Sequence, residues 1–250
     1  MLFIVLPAYN EAHCIVELMD SIAAVMARPS LKGRRYRIIV VDDGSTDGTG
    51  EKVLSAAGRI PSELVRHDVN RGVDRAFHSG FTRALEEAGG DDCILTMDAD
   101  NTHQPAHIED LLTEIEKGYD VVVASRYRPG SVVRNVPPGR LCLSWMARFV
   151  LTALFHVPGI TDYTIFYRIY RPSALRRAFD RYGERIFEAP GFTSMAELLI
   201  KLHRLPPPRI RFSETSTVLL YGIKLGPSKM KILRNIREYA RMIVRFKLGV

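Results

Sequence analysis

Residues 36–49, with the sequence YRIIVVDDGSTDGT, indicate the fold class of this 250-residue chain. Near its start, residues 38–41 are consecutive apolar, β-branched residues, a pattern typical of a strand buried on both faces of a parallel sheet. An acidic, glycine-containing turn follows, and residues 47–57 then have the pattern of a helix that Thr46 could cap. Strand, turn and helix in this order predict an α/β fold with a mainly parallel sheet.

The same alternation runs through the first half of the chain and becomes less regular in the second half. In the first half we predict strands over residues 3–6, 36–41, 63–66, 93–97 and 120–124, and helices over 12–26, 47–57, 73–88 and 105–117. In the second half we predict a loop over 128–139, helices over 141–155, 172–182, 193–205 and 229–247, and extended segments over 163–170 and 209–220.

Composition and charge exclude several classes of protein. With 46% hydrophobic and 25% charged residues, the chain is neither disordered nor collagen-like. Its net charge of +7 lies mostly in residues 229–250, which carry seven basic residues and one acid, so we expect no nucleic-acid partner. The three cysteines lack the spacing of a disulfide scaffold or a structural zinc site, and the first residues do not resemble a signal peptide. Both observations favour a cytoplasmic location.

Polar residues follow four of the predicted strands, at the sheet edge where parallel α/β folds bind ligands. These segments are residues 7–11 (PAYNE), 42–49 (DDGSTDGT), 98–100 (DAD) and 125–127 (SRY). Asp98 and Asp100 would face the same way on an extended chain and could converge on a hard cation such as Mg²⁺. A solvated turn, or a helix cap before Pro105, is the structural alternative. Residues 42–45 either cap the next helix or accept hydrogen bonds from a nucleoside.

The order and spacing of these motifs resemble the family 2 glycosyltransferases, which have the GT-A fold, a Rossmann-like nucleotide-sugar-binding fold. The matching segments are residues 6–11 (LPAYNE), 40–49 (VVDDGSTDGT), 70–72 (NRG), 97–100 (MDAD) and 124–127 (ASRY). Later motifs are similar to the dolichol- and polyprenyl-phosphate sugar synthases. They are Arg140-x-x-x-Ser144, residues 162–171 (DYTIFYRIYR), Gly191-Phe192 with Glu197, and residues 226–229 (GPSK).

The resemblance implies a role for each matching residue. Pro7, Tyr9, Glu11, Val41 and Asp43 would hold the nucleoside of the donor. Asp98 and Asp100 would bind Mg²⁺ or Mn²⁺ on its diphosphate, with Ala99 lining the site. Arg126, Arg140 and Ser144 would receive the acceptor phosphate, and Lys229 would reach a phosphate of either substrate. Asp98, Asp100 and Arg126 are thus the implied catalytic residues. Solvated surface charge is the alternative for Arg140 and Lys229.

The implied reaction is an inverting, metal-dependent transfer of a sugar from a nucleotide-sugar to a polyprenyl or dolichyl phosphate, with GDP-mannose as the first donor to test. Two alternatives stay open: transfer from a UDP-sugar to the hydroxyl of a glycan or small molecule, and a catalytically silent nucleotide-sugar-binding module. Three departures from the family pattern bear on this choice. Thr102 replaces a usual Gln, Asp74 a usual Gly, and Ile223 a usual Arg.

Two segments suggest contact with a membrane. We predict a GT-A domain over residues 1–228 that contains an apolar acceptor or interface segment over 140–156, followed by a basic amphipathic helix over 229–250. As a helix, residues 141–155 would extend about 22 Å, short of the roughly 30 Å hydrocarbon core of a bilayer. We therefore expect interfacial helices and a peripheral position at the cytoplasmic face of a membrane; the alternative is that both segments pack on the domain.

The histidines contribute less to this interpretation. The seven of them show no triad-like arrangement in the sequence. His103, beside the DAD motif, either supports the two carboxylates or serves as a local cap.

Overall fold

A computed structural model describes residues 1–221 and 232–248, and only the backbone at positions 140, 232 and 233. The strands within these residues are β1 (Leu2–Ala8), β2 (Tyr36–Asp43), β3 (Ser62–His67), β4 (Cys93–Thr96), β5 (Val121–Ser125), β6 (Val132–Arg134), β7 (Arg168–Tyr170), β8 (Phe212–Ser216) and β9 (Val218–Leu220). The helices are α1 (Ile15–Met26), α2 (Thr49–Ala56), α3 (Val73–Glu87), α4 (Ile108–Glu116), α5 (Pro138–Phe155), α6 (Pro172–Tyr182), α7 (Ser194–His203) and α8 (Ile232–Leu248).

Seven strands form one central sheet in the order β3-β2-β1-β4-β7-β5-β8. Only β7 runs antiparallel to its neighbours in this sheet, so the prediction of an α/β fold with a mainly parallel sheet is confirmed. In the register of β1 and β2, Ala8 lies opposite Asp42. The two strands therefore end together, and the loops that follow them meet at one edge of the sheet.

The core lies between this sheet and the helices that cover it. Helix α3 approaches β1 so closely that a Cβ atom at Gly80 would lie 2.3 Å from Cγ1 of Val5. Phe77 and Phe81 of the same helix are fully buried, and each such side chain contributes roughly 1.5–3 kcal/mol through the hydrophobic effect. This packing fixes the N-terminal end of α3 beside the edge of the sheet that carries the loops.

Several boundaries differ from those predicted. Helix α2 begins at Thr49 because Gly48 has a left-handed φ of 88° and Asp47 accepts the Thr49 N–H at 3.1 Å. Asp47, and not Thr46, therefore provides the side-chain acceptor at this helix start. Residues 128–139 contain strand β6, which pairs with β9 in a separate two-stranded sheet. Of residues 163–170, only the last three form a strand.

Helix α8 packs on the domain beside α5. Met242 is buried, the ring of Phe246 meets that of Phe155 at 5.7 Å, and Nζ of Lys247 donates to the carbonyl of Leu154 at 2.8 Å. Residues 229–231, where we predicted the helix to begin, lie outside the described residues. Among the helices of the described ranges, none combines the length and the hydropathy needed to cross a bilayer.

Candidate active site

The loops after β1 and β2 are joined by hydrogen bonds. The backbone N–H of Asn10 donates to Oγ of Ser45, and that of Glu11 donates to Oγ1 of Thr49, both at 2.9 Å. Asn10 has a left-handed φ of 51°, and its side-chain oxygen accepts the N–H of Thr46 at 2.9 Å. Much of the DDGSTDGT motif thus serves to hold the PAYNE loop in place, a role that the sequence did not reveal.

A cavity of about 540 Å³ opens at this edge of the sheet. We call it the donor cavity. Four of the five predicted nucleoside-binding residues line it, together with the predicted metal-binding motif: Pro7, Tyr9, Glu11, Asp43, Asp98, Ala99 and Asp100. Val41, the fifth, does not line it; it is fully buried and packs below α3. The remaining walls come from residues 70–74, from Phe166 and residues 190–192, and from Arg234, Asn235 and Glu238 of α8.

The carboxylate of Asp43 organises one wall of the donor cavity. It accepts the backbone N–H groups of Arg71 at 2.9 Å and Gly72 at 2.8 Å, and Nδ1 of His67 lies 2.7 Å away. Nε2 of His67 in turn lies 2.9 Å from Oγ of Ser79. No pattern in the sequence indicates this Ser–His–Asp arrangement. Neither His67 nor Ser79 lines this cavity or the second cavity described below. The two residues therefore orient Asp43 and present no nucleophile to either cavity.

Asp74 joins the donor cavity to the segment 188–193. Its Oδ1 accepts the N–H of Gly191 at 2.8 Å. The other end of the segment is held by the buried Glu197, which accepts the N–H groups of Glu188 and Ala189 at 2.9 and 2.6 Å. The departure at position 74 therefore supplies an anchor that glycine lacks.

Asp98 and Asp100 lie where two cavities meet, and both line each of them. Strand β4 ends at Thr96, so the motif lies in the turn beyond the strand and not on an extended segment as predicted. Oδ1 of Asp100 accepts the hydroxyl of Thr102 at 2.6 Å and its N–H at 3.2 Å. Thr102, one of the departures from the family pattern, thus orients one carboxylate of the pair directly.

The buried His103 contacts the same turn through a hydrogen bond. Its Nδ1 accepts the N–H of Asp98 at 3.4 Å, and its ring stacks on that of Tyr167 at 5.3 Å. Burial lowers the pKa of His103 to about 4, so the imidazole is neutral at pH 7. The 3.7 Å approach of Nδ1 to Oδ2 of Asp98 is therefore not an ion pair.

The second cavity, of about 700 Å³, extends from Asp98 and Asp100 past Arg126 and Ser144. We call it the acceptor cavity. Its far walls are predominantly apolar and come from α5, α8 and the small sheet, with Val133, Val136, Leu141, Trp145, Met146, Val150, Leu151, Leu219, Ile236, Tyr239 and Ile243 among its lining residues. The structure thus brings the predicted metal ligands, Arg126 and Ser144 around one continuous space.

Arg126 is anchored by a residue to which the sequence analysis assigned no role. Its Nε and Nη2 donate to the two oxygens of Asp162, both at 2.7 Å, and Nη2 also donates to Oγ1 of Thr164 at 2.5 Å. Burial by itself would raise the pKa of Asp162, but the adjacent Arg126 outweighs burial and keeps that pKa below its usual value. Arg126 and Asp162 therefore form a charged pair, which holds the arginine in one orientation.

The hydroxyl of Ser144 is oriented by Tyr127. The Tyr127 hydroxyl lies 3.1 Å from Oγ of Ser144 and 3.0 Å from its carbonyl oxygen. The guanidinium of Arg148 lies 4.5 Å from the centre of the Tyr127 ring, at the distance of a cation–π contact. Arg140 belongs to the first turn of α5, but its side chain is not described, and Lys229 lies outside the described residues.

Comparisons with known proteins match the chain to one family. The sequence profile of the family described as "Glycosyl transferase family 2" matches residues 3–179. Polyprenol monophosphomannose synthase of Mycolicibacterium smegmatis is 35% identical over 176 residues, 70% of this chain and 63% of the relative. Dolichol-phosphate mannosyltransferase of Pyrococcus furiosus is 32% identical over 243 residues, 97% of this chain and 62% of the relative. The matches thus span about three fifths of the length of both relatives.

Two solved structures share the fold. Glucosyl-3-phosphoglycerate synthase of Mycobacterium tuberculosis, in complex with Mn²⁺, UDP and glucosyl-3-phosphoglycerate, matches 100% of this chain and 80% of its own with a TM-score of 0.67 and 20% identity. A mannosyltransferase of Pyrobaculum calidifontis, in complex with GDP-Man and Mn²⁺, matches 96% of this chain and 62% of its own with a TM-score of 0.58 and 18% identity.

Proposed function

Because the chain belongs to glycosyl transferase family 2 and has the GT-A fold, we propose that it transfers a sugar from a nucleotide-sugar to the phosphate of a polyprenyl lipid. One observation carries the proposal. The carboxylate-rich donor cavity and the apolar acceptor cavity share Asp98 and Asp100, with Arg126 on the acceptor side. A water-soluble diphosphate donor and a lipid phosphate would therefore meet at this pair.

The donor cavity needs a cation to hold a diphosphate. Among the described residues, six carboxylate side chains line it against two arginines: Glu11, Asp43, Asp74, Asp98, Asp100 and Glu238, with Arg71 and Arg234. Asp98 and Asp100 suit Mg²⁺ or Mn²⁺, because both present hard oxygen ligands to the space shared by the cavities. The bound ion would neutralise charge on the leaving diphosphate. Both solved neighbours described above contain Mn²⁺, which supports this assignment.

The acceptor end of the site is suited to a phosphate nucleophile. A phosphate monoester has its second pKa near 6 and is mostly a dianion at pH 7. It can attack the anomeric carbon directly, with inversion and without a general base. Arg126 and Ser144 would orient it, with Arg140 and Lys229 as further proposed contacts. Because Asp162 balances much of the charge of Arg126, we expect Arg126 to contribute mainly through the direction of its donors.

The apolar walls of the acceptor cavity suit the first isoprene units of a lipid. The two helices that line it, α5 and α8, also expose large apolar side chains: Leu141, Trp145, Met146, Phe149 and Val150 on α5, and Ile236, Val244 and Leu248 on α8. Exposed basic residues of α8, which are Arg234, Arg237, Arg241 and Lys247, flank them. Such a surface fits an anionic membrane, where each nearby basic residue adds about 1 kcal/mol. We propose that these helices both pack on the domain and contact the bilayer.

The two alternative functions receive less support from the site. A hydroxyl acceptor would need a carboxylate base, and among the described residues that line the acceptor cavity the only carboxylates are Asp98 and Asp100. We assign both to the metal. A silent binding module would not need the metal motif in a fixed geometry. In this structure Thr102 and His103 both hydrogen-bond to the motif and hold its turn in place. The donor is best assigned first to GDP-mannose, with UDP-sugars as the alternative.

The test is transfer from radiolabelled GDP-mannose, UDP-glucose and other UDP-sugars, each with Mg²⁺ or Mn²⁺, to polyprenyl phosphate in vesicles. Label in the organic-extractable lipid supports the proposal, and Asp100→Asn should abolish it while Asp91→Asn, at an exposed position, should not. Label in a water-soluble glycan would instead support the hydroxyl acceptor. Donor binding without any transfer would support the silent module.

A further inference from the structure

Three side chains at the start of α1 offer a second set of metal ligands, separate from the oxygen ligands of Asp98 and Asp100. They belong to Glu11, His13 and Cys14, and one ligand atom from each lies within 4.8 Å of the others. Sγ of Cys14 is 3.5 Å from Oε2 of Glu11, and Nε2 of His13 is 3.8 Å from the same oxygen.

The two distances to Oε2 of Glu11 lie in the range that zinc coordination requires. A tetrahedral Zn²⁺ with bonds of about 2.0–2.3 Å separates its ligand atoms by roughly 3.3–3.8 Å. A thiolate, an imidazole and a carboxylate together favour Zn²⁺ over Mg²⁺ or Mn²⁺, which prefer all-oxygen sites. The three cysteines do not form a structural zinc site by their spacing, but here a single cysteine is completed by two residues of other types.

The surroundings leave the cluster accessible from one side. Glu11 and Cys14 are buried, whereas the side chain of His13 is 35% exposed. Three protein ligands with one side open to water resemble the open kind of zinc site. Cys14 precedes the first residue of α1, so its sulfur lies where the PAYNE loop meets the helix. The backbone of Glu11 is fixed by Thr49, so the cluster is held by the same hydrogen bonds as the PAYNE loop.

We propose that Glu11, His13 and Cys14 bind Zn²⁺ or a similar thiophilic ion, and that this ion inhibits the transferase. The inhibition rests on the proposed function, because Glu11 also lines the donor cavity and a carboxylate committed to zinc is lost to the nucleotide-sugar. Sγ of Cys14 lies 3.3 Å from the carbonyl of Ala99, so the ion would also sit next to the metal-binding turn. On binding, Cys14 releases its proton to solvent, and zinc affinity therefore increases with pH.

The binding test uses the untagged chain carrying Cys142→Ser, which removes an exposed thiol. Zn²⁺ is titrated by calorimetry in excess Mg²⁺, and Co²⁺ replaces Zn²⁺ in a parallel absorption experiment. A cobalt–thiolate band in the near ultraviolet reports Cys14, because Asp98 and Asp100 cannot produce it. Substitution of a residue that only hydrogen-bonds to a metal ligand usually lowers metal affinity about 10–100-fold. Cys14→Ser and His13→Ala remove direct ligands, so each should weaken zinc binding at least about tenfold.

The activity test separates the two parts of the proposal. Zn²⁺ should inhibit the Cys142→Ser chain but not the chain that also carries Cys14→Ser, and basal transfer should be the same in both. If the Cys14→Ser and His13→Ala chains bind zinc as tightly as their parent, the site is wrong. If zinc binds at Cys14 and transfer continues at the same rate, the inhibition is wrong. If no chain transfers sugar, the proposed function fails, and the titrations still decide whether the metal site exists.

Discussion

Removal of Asp162 should destabilise the protein more than its single side chain would suggest. The carboxylate is fully buried and receives Nε, Nη2 and the backbone N–H of Arg126. The N–H groups of Thr164 and Ile165 also point to it, at 3.2 and 3.3 Å. Asp162→Ala would leave a mostly buried guanidinium without its counter-charge and several donors without an acceptor.

Breaking a buried ion pair in this way costs about 3–5 kcal/mol of unfolding free energy. At about 2–4 °C per kcal/mol for a chain of this size, the midpoint of thermal unfolding should fall by about 6–20 °C. The exposed Asp180 of α6 provides the control, since surface substitutions usually change stability by no more than about 0.5 kcal/mol.

The measurement is urea unfolding of the wild type, Asp162→Ala, Arg126→Ala and the double variant. The two residues contact each other directly, so the double variant should lose less stability than the two single losses together, by about 0.5–3 kcal/mol. An Asp162→Ala chain as stable as the Asp180→Ala chain, or losses that simply add, would show that the pair does not hold this site.

The same pair gives the stability a pH dependence. The pKa of Asp162 is lower in the folded chain than its ordinary value. Its contribution is therefore complete above about pH 4, where the unfolded carboxyl is ionised, and is lost as pH falls through the lower folded value. Between pH 5 and pH 3 the wild type should lose more stability than the Asp162→Ala chain, measured by the same unfolding experiment. Parallel losses in the two chains would contradict the assignment.

Four further outcomes follow from the site. Asp100→Asn should lower turnover by about 100-fold or more even at saturating Mn²⁺, and near wild-type turnover would refute the metal assignment. Arg140→Ala should raise the KM for lipid phosphate and spare donor binding measured by calorimetry, and lysine should rescue it only partly. Asp74→Ala should speed amide exchange across 188–193, whereas Asp74→Asn, which keeps an acceptor for Gly191, should not. Phe149→Asp, at a side chain that is 75% exposed, should weaken co-sedimentation with anionic vesicles without changing the midpoint of thermal unfolding; unchanged sedimentation would exclude this face from the membrane contact.

Local patterns were sufficient to predict the first half of the fold. Strands β1, β2 and β4 are apolar runs, and α3 ends before the two glycines at 89–90, so periodicity and turn residues place them within a few positions. Strand β6 was predicted as a loop because it has three residues and pairs with β9, more than 80 positions away. A pairing of this kind is decided by tertiary contacts, which local patterns do not report.

For the site, it was easier to predict which residues belong to it than what each residue does there. The sequence assigned Arg126 to the site but not its partner Asp162, although both belong to quoted motifs. The link that His67 makes between Asp43 and Ser79 could not be predicted, because those positions come together only when β2, β3 and α3 pack. Thr102 stood in the sequence only as a departure from the family pattern, whereas its hydroxyl lies 2.6 Å from the Asp100 carboxylate that it orients.

The stacked rings of Phe166 and Phe192, 5.5 Å apart, border both cavities, so each cavity has its own lining and the two share one wall. For the proposed reaction this arrangement has a kinetic consequence. Neither substrate has to leave before the other arrives, so both orders of addition lead to the same ternary complex. Double-reciprocal plots at several fixed lipid concentrations should intersect rather than run parallel. Evolution could also remodel the lipid-facing helices to accept prenyl chains of another length while nucleotide recognition stayed unchanged.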